Sequence, residues 1–139
     1  MQRRWAVTPT QPKQEGQRRN MRYFTKDELV CTCCGQHGMD EDFMAIIDGM
    51  RAAAGFSFPV NSAYRCANHP IEAAKAKPGA HTTGLAIDIG VSRGQAFKVI
   101  ELALSAGIKR IGVNQKGAHG RFIHLDICDS KMSPTIWSY

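Results

Sequence analysis

A chain of 139 residues with 43% hydrophobic side chains fits one packed domain. No run approaches the roughly 20 apolar residues of a transmembrane helix. The basic start MQRRWAVTPTQPKQEGQRRN has no apolar stretch behind it, so neither stable membrane insertion nor a secretory signal peptide is expected. The formal charge of +6 and pI near 9.3 can favour nucleic acid, an anionic membrane or a polyanionic wall, but part of the excess is local to the N-terminal segment and reads first as a solvated charged tail. No aromatic-rich basic face of the kind single-strand binders use is visible, so nucleic acid is not expected as a partner.

Residues 1–21, rich in Gln, Arg, Pro and Thr, bury too little apolar surface to offset their ordering entropy. They are expected to form a disordered basic extension to a folded domain over 22–139. Thr25-Lys26-Asp27-Glu28 has the form of a capping box and predicts a short helix through Val30. Cys31-Thr32-Cys33-Cys34-Gly35 reads as a compact turn. Over Asp40–Ala54, Phe43, Ile46, Ile47 and Met50 recur at helical spacing, with Gly55 placed to end the helix. A short extended segment follows at Phe58–Ser62, then a mixed loop from Cys66 to Lys77. Gly84–Ile89 alternates as a strand. Ser92 is placed to cap a helix over Arg93–Ala106 that buries Phe97, Ile100 and Leu104, with Gly107 closing it. Ile108–Val113 and Arg121–Ile127 are two more strands, and fraying is expected at the Trp137 end. The class is α+β, a small and mostly antiparallel sheet with helices packed on one face.

Alternation along the strands carries the chemistry. In Gly84–Ile89, Leu85, Ile87 and Ile89 share one face, and Gly84, Ala86 and Asp88 the other. In Phe122–Ile127, Ile123, Leu125 and Ile127 face one way while Phe122, His124 and Asp126 face the other. Two such strands in one sheet bury a common aliphatic face and present Asp88, His124 and Asp126 together, with room above the small residues. His81, three residues before this strand, can turn back over the sheet. Two imidazoles and one carboxylate with a vacant fourth position form the ligand set of a catalytic zinc site.

The strings Ser62-Ala63-Tyr64-Arg65, His81-Thr82-Thr83-Gly84-Leu85-Ala86-Ile87-Asp88 and Ile123-His124-Leu125-Asp126 together resemble the zinc D-alanyl-D-alanine carboxypeptidase family. That group includes phage endolysin peptidases, L-alanyl-D-glutamate endopeptidases among them, and is related to the hedgehog signalling domain. The resemblance covers about residues 23–127. It implies a hedgehog-like fold and one catalytic zinc on His81, Asp88 and His124, with hydrolysis of a peptidoglycan peptide. Ser62, Tyr64 and Arg65 are then candidates for substrate binding, Arg65 either holding the developing oxyanion or clamping a substrate carboxylate. Many relatives carry a glutamate two or three residues before the last histidine, where this chain has Arg121 and Phe122. The general base is therefore expected to be Asp126, with His119 as the other candidate. Asp126 has the alternative role of fixing the tautomer of a ligand imidazole. A monomer, made in the cytoplasm and released to the wall by a holin-type partner, is the corresponding expectation.

Two other functions compete. A zinc domain that binds without cutting is suggested by the missing glutamate. A non-haem iron oxygenase also uses two histidines and a carboxylate, but such sites begin with a His-x-Asp pair and need more strands. Bond choice is assigned to the loops at 66–80 and 114–120. His69 is expected either to line the cleft or to stand at the surface. Cys31, Cys33, Cys34 and Cys66, with His37 nearby, either bind a second metal or are free thiols.

Overall fold

A computed structural model describes residues 21–129 and 131–139, so the expected disorder of the basic extension lies, apart from Met21, outside the described residues. The helices are α1 (Lys26–Leu29), α2 (Glu41–Ala54), α3 (Pro70–Ala73) and α4 (Arg93–Ser105). The strands are β1 (Val60–Ser62), β2 (Ala86–Ile89), β3 (Arg110–Asn114), β4 (Phe122–Asp126) and β5 (Thr135–Ser138), and a 3₁₀ turn spans Ala80–Thr83. Local chemistry sets several of these bounds. The Glu28 carboxylate accepts the Thr25 N–H at the start of α1, and Asp40 accepts the Phe43 N–H at 2.8 Å to open α2. Gly55, at φ 77°, ends α2 in the left-handed conformation that glycine adopts without strain.

The strands form one sheet in the order β1-β2-β4-β3-β5, antiparallel except for the parallel β3–β5 edge. Its register aligns Asp88 with His124, His124 with Gly112, and Gly112 with Trp137 in one row. The neighbouring row joins Ala86, Asp126, Arg110 and Thr135. Because side chains alternate along a strand, the rows between carry the aliphatic residues to the opposite face. There Ile87, Ile89, Ile111, Ile123 and Leu125 pack with Phe43, Ile47 and Met50 of α2 and Val99 of α4. The α+β class with helices over one sheet face follows directly.

Three expectations are corrected here. Helix α4 buries Ala96, Val99, Leu102 and Ala103, while Phe97 and Leu104 are 73% and 62% exposed and Ile100 is half-buried. The large residues also fit a helical spacing, but the stripe rotated by one residue is the one that faces the core. Ser92 occupies the N-cap position without a side-chain cap, and the Arg93 N–H is met instead by the Gln115 side chain. The chain end is not frayed: β5 adds a strand that carries Trp137 to the cleft.

Candidate metal centre

The polar face of the sheet floors a cleft of about 450 Å³. Strands β2 and β4 place Asp88 and His124 side by side, as the alternation requires. His81 reaches them from the 3₁₀ turn, which its threonines tighten. The Thr82 hydroxyl donates to Gly79 O at 2.7 Å and the Thr83 hydroxyl to Ala80 O at 2.6 Å. Gly84 ends the turn at φ 76°, and a Cβ there would stand 2.0 Å from the Gly38 carbonyl oxygen. Only glycine fits that close approach.

His81, Asp88 and His124 are each buried, and their ligand atoms lie within 4.8 Å of one another. His81 Nδ1 is 2.7 Å from the Ala63 carbonyl. A carbonyl only accepts, so Nδ1 carries a hydrogen, and Nε2 stands 3.3 Å from Asp88 Oδ2, where in the neutral ring its lone pair is available to an ion. His124 lies between two carboxylates, with Nε2 2.7 Å from Asp126 Oδ2 and Nδ1 2.8 Å from Asp88 Oδ1; in the tautomer that donates from Nε2 to Asp126, Nδ1 is left for an ion. Each imidazole is thus oriented through its outer nitrogen, by a carbonyl in one case and a carboxylate in the other, while its inner nitrogen converges on the same aspartate. That is how protein-bound zinc ligands are held, and the donor set fits the ion.

The imidazoles and carboxylates of the site set one another's titration. Burial alone pushes the Asp88 carboxyl up, but His124 and His81 reverse this and hold it well below the usual carboxylate range. Burial lowers the His124 imidazole, and Asp126 and Asp88 more than compensate, raising it toward the charged form. Asp126 is likewise held down despite its burial, by His124, the Cys128 N–H and Arg110.

Asp126 is 0% exposed. Its Oδ1 accepts Arg110 Nε at 2.7 Å and the Cys128 N–H at 3.1 Å, and its Oδ2 accepts His124. Three of its roughly four acceptor positions are therefore filled, the arrangement of a group that orients His124. His119 is exposed in the β3–β4 loop and is absent from the cleft lining. Arg65 does line the cleft, with its guanidinium 3.0 Å from Glu72 and 3.8 Å from Asp88. Ser62 and Tyr64 do not. Ser62 pairs with Asp88 in the β1–β2 ladder, and the Tyr64 ring lies over Gly38. His69 caps α3 by accepting the Ile71 N–H, and also bonds Thr32.

Arg110 in the cleft lining and Glu72 behind it were not singled out in the sequence, whereas Trp137 was weighed as a cover for the sheet edge or a substrate contact. Glu72 is fully buried and takes Arg65, Lys75 and the Gly79 N–H. Burial raises its carboxyl, yet these donors outweigh it and bring it down to about 2. Arg110 also donates to the Met132 carbonyl and lies 5.0 Å from the Trp137 ring centre. Trp137 sits 5.2 Å from the His124 ring, in space that exists because residue 112 is glycine: a Cβ there would meet the indole at 2.7 Å. The alternation of Arg110-Ile111-Gly112-Val113 held the signal for Arg110 and Gly112. Nothing local to Pro70-Ile71-Glu72 marks Glu72 as the support of Arg65.

Against known proteins, the sequence pattern of one family, described as Peptidase M15, matches residues 22–126. No curated protein matches the chain.

Proposed function

The chain belongs to the peptidase M15 family, a family of zinc-dependent peptidases, and from that premise we propose that it hydrolyses a peptide bond in the stem or cross-bridge of peptidoglycan. The observation that carries this reading is the convergence of His81 Nε2, His124 Nδ1 and the Asp88 carboxylate on the floor of a cleft lined by Arg65, Lys75, Lys77, Arg110 and Lys131. Wall peptides carry free carboxylates, and a cationic cleft attracts them. A phage endolysin or a wall-remodelling enzyme is the corresponding biological role.

His81, Asp88 and His124 would hold the zinc. When bound, zinc lowers the pKa of a coordinated water to about 7 and polarises a carbonyl. The protein's own groups supply orientation and charge. The Ala63 carbonyl and Asp126 fix the two imidazoles. Arg65, held by Glu72 at the cleft wall, presents a planar guanidinium for a substrate carboxylate or for the oxygen on which charge develops. Trp137 and Tyr139 give the cleft an apolar wall for the peptide's side chains and backbone. We assign Asp126 to positioning rather than to proton abstraction, since it is fully buried and three of its roughly four acceptor positions are taken by Arg110, His124 and the Cys128 N–H.

That assignment favours a second reading. With Asp126 committed and no glutamate ahead of His124, no uncommitted carboxylate lines the cleft among the described residues. A zinc domain that grips a wall peptide without cutting it would look the same. The two separate on incubation of the protein with peptidoglycan, with zinc or chelator, and mass spectrometry of the soluble products beside a His81→Ala control. A zinc-dependent fragment absent from the control supports the peptidase and names its bond. Retention of zinc and of wall binding, with no fragment, would put the binding domain first.

A further inference from the structure

A second group of metal-ligating side chains lies outside the cleft, on turns rather than strands. The sulfurs of Cys31, Cys33, Cys34 and Cys66 all lie within 4.8 Å of one another. Cys31 is 3.4 Å from Cys33 and 3.6 Å from Cys66, and Cys33 is 3.3 Å from Cys66. These spacings are far beyond a disulfide bond of about 2.05 Å. Four thiolates at about 2.3 Å around a tetrahedral zinc stand about 3.8 Å apart, within about 0.5 Å of the three spacings among Cys31, Cys33 and Cys66, with Cys34 inside the same 4.8 Å limit.

The backbone is folded to hold such a group. Gly35 N–H returns to the Cys31 carbonyl at 2.7 Å and Cys31 N–H to the Gln36 carbonyl at 2.9 Å, closing a turn with Gly35 at φ 71°. The turn brings three cysteines close in sequence to one point, and Cys66 arrives there from the segment after β1. The Cys66 N–H donates to the Cys31 sulfur at 3.4 Å, a bond that favours a thiolate and orients it as outer contacts do around metal ligands. Apolar packing offers little alternative anchor: residues 32–37 are all exposed, and only Cys31 in this turn is buried. His37, which the sequence left as a possible ligand, stands apart from the four sulfurs.

We propose that Cys31, Cys33, Cys34 and Cys66 bind a second metal ion, a structural zinc with four thiolate ligands. All four ligand positions are filled by protein, so this ion has no place for substrate. It joins the turn after α1 to the segment carrying Arg65. Arg65 precedes Cys66 directly, its N–H donates to the His81 carbonyl at 3.2 Å, and the Tyr64 N–H bonds Leu29 O at 3.3 Å. The Thr32 hydroxyl bonded to His69 is a further tie between the same two segments. The thiolate zinc would therefore hold Arg65 and the His81 turn in register, and binding would release the thiol protons. Only this positioning consequence rests on the peptidase reading.

The test is the metal content of the full chain, purified under reducing conditions from zinc-supplemented cells. Wild type is expected to hold two zinc ions per chain. Cys66→Ser and the exposed-site variant Cys34→Ser should each lose one, and His81→Ala should lose the other. Cobalt exchanged into the His81→Ala protein should show intense sulfur-to-metal absorption in the near-ultraviolet and tetrahedral bands in the red. If the cysteine variants do not fold, the same cobalt spectrum of wild type still decides. One metal per chain with the sulfur bands present keeps this site and removes the histidine one. One metal without those bands, all four thiols reacting freely, or a disulfide among them overturns the proposal. Iron found on the four sulfurs overturns the choice of zinc.

Discussion

The two candidate metal sites are built by opposite means. His81, Asp88 and His124 are placed largely by a sheet whose register is fixed by an aliphatic face, and their outer nitrogens are already tied to protein oxygens. Such a site has its imidazoles oriented by protein partners of their own. The cysteine site joins an exposed turn over residues 32–37 to a loop, so there the ion would itself be a large part of the local structure. A ligand set carried by strands is stiff and can serve chemistry. One carried by turns is shaped by what it binds and serves architecture.

The largest expected effect is on the strand site. His124→Ala should reduce hydrolysis to background and remove one zinc while the far-ultraviolet circular dichroism stays native. Loss of the whole fold in this variant would contradict a sheet that stands without its metal. Next comes Asp126→Asn, expected to cost about 10–100-fold in zinc affinity or activity, with activity partly recovered at higher zinc. Complete loss of turnover with zinc affinity unchanged would instead make Asp126 the general base.

Glu72 tests the wall that carries Arg65. Glu72→Gln should raise KM more than it lowers kcat, and should destabilise by about 2–4 kcal/mol because a buried charge network is broken. The sign of the acid dependence follows from its carboxyl, held at about 2 when folded and near 4.3 when unfolded. Stability from Glu72 is complete above the unfolded value and is lost as pH falls toward about 2. Acid unfolding of the variant should lack that component, and an unchanged acid limb would show that Glu72 contributes nothing. The smallest effect is expected at Phe97, 73% exposed on α4. Phe97→Ser should change thermal stability by no more than about 0.5 kcal/mol, whereas a core residue would cost several times that.

The same contrast decides what was legible in the sequence. Period-two alternation in β2 and β4 exposed both the aliphatic face and the polar face that carries Asp88, His124 and Asp126, because a strand converts sequence order directly into geometry. Helix α4 was harder, since Phe97, Ile100 and Leu104 and the stripe of Ala96, Val99 and Ala103 share helical spacings one residue apart. Only packing against the sheet chooses between them. Strand β5 is four residues long and pairs parallel with β3, a partner its own sequence does not indicate. The Arg65–Glu72 pair and the meeting of Cys66 with Cys31 depend on how irregular loops close. No periodicity reports that.

Zinc returned stepwise to chelator-treated protein, with peptide release from peptidoglycan measured by mass spectrometry at each step, tests the central claim most directly. The account predicts that one defined fragment disappears on chelation and returns as the His81, Asp88 and His124 site refills, in wild type and not in His81→Ala. Fragment release that survives removal of all zinc, or no release at any zinc level, would contradict it.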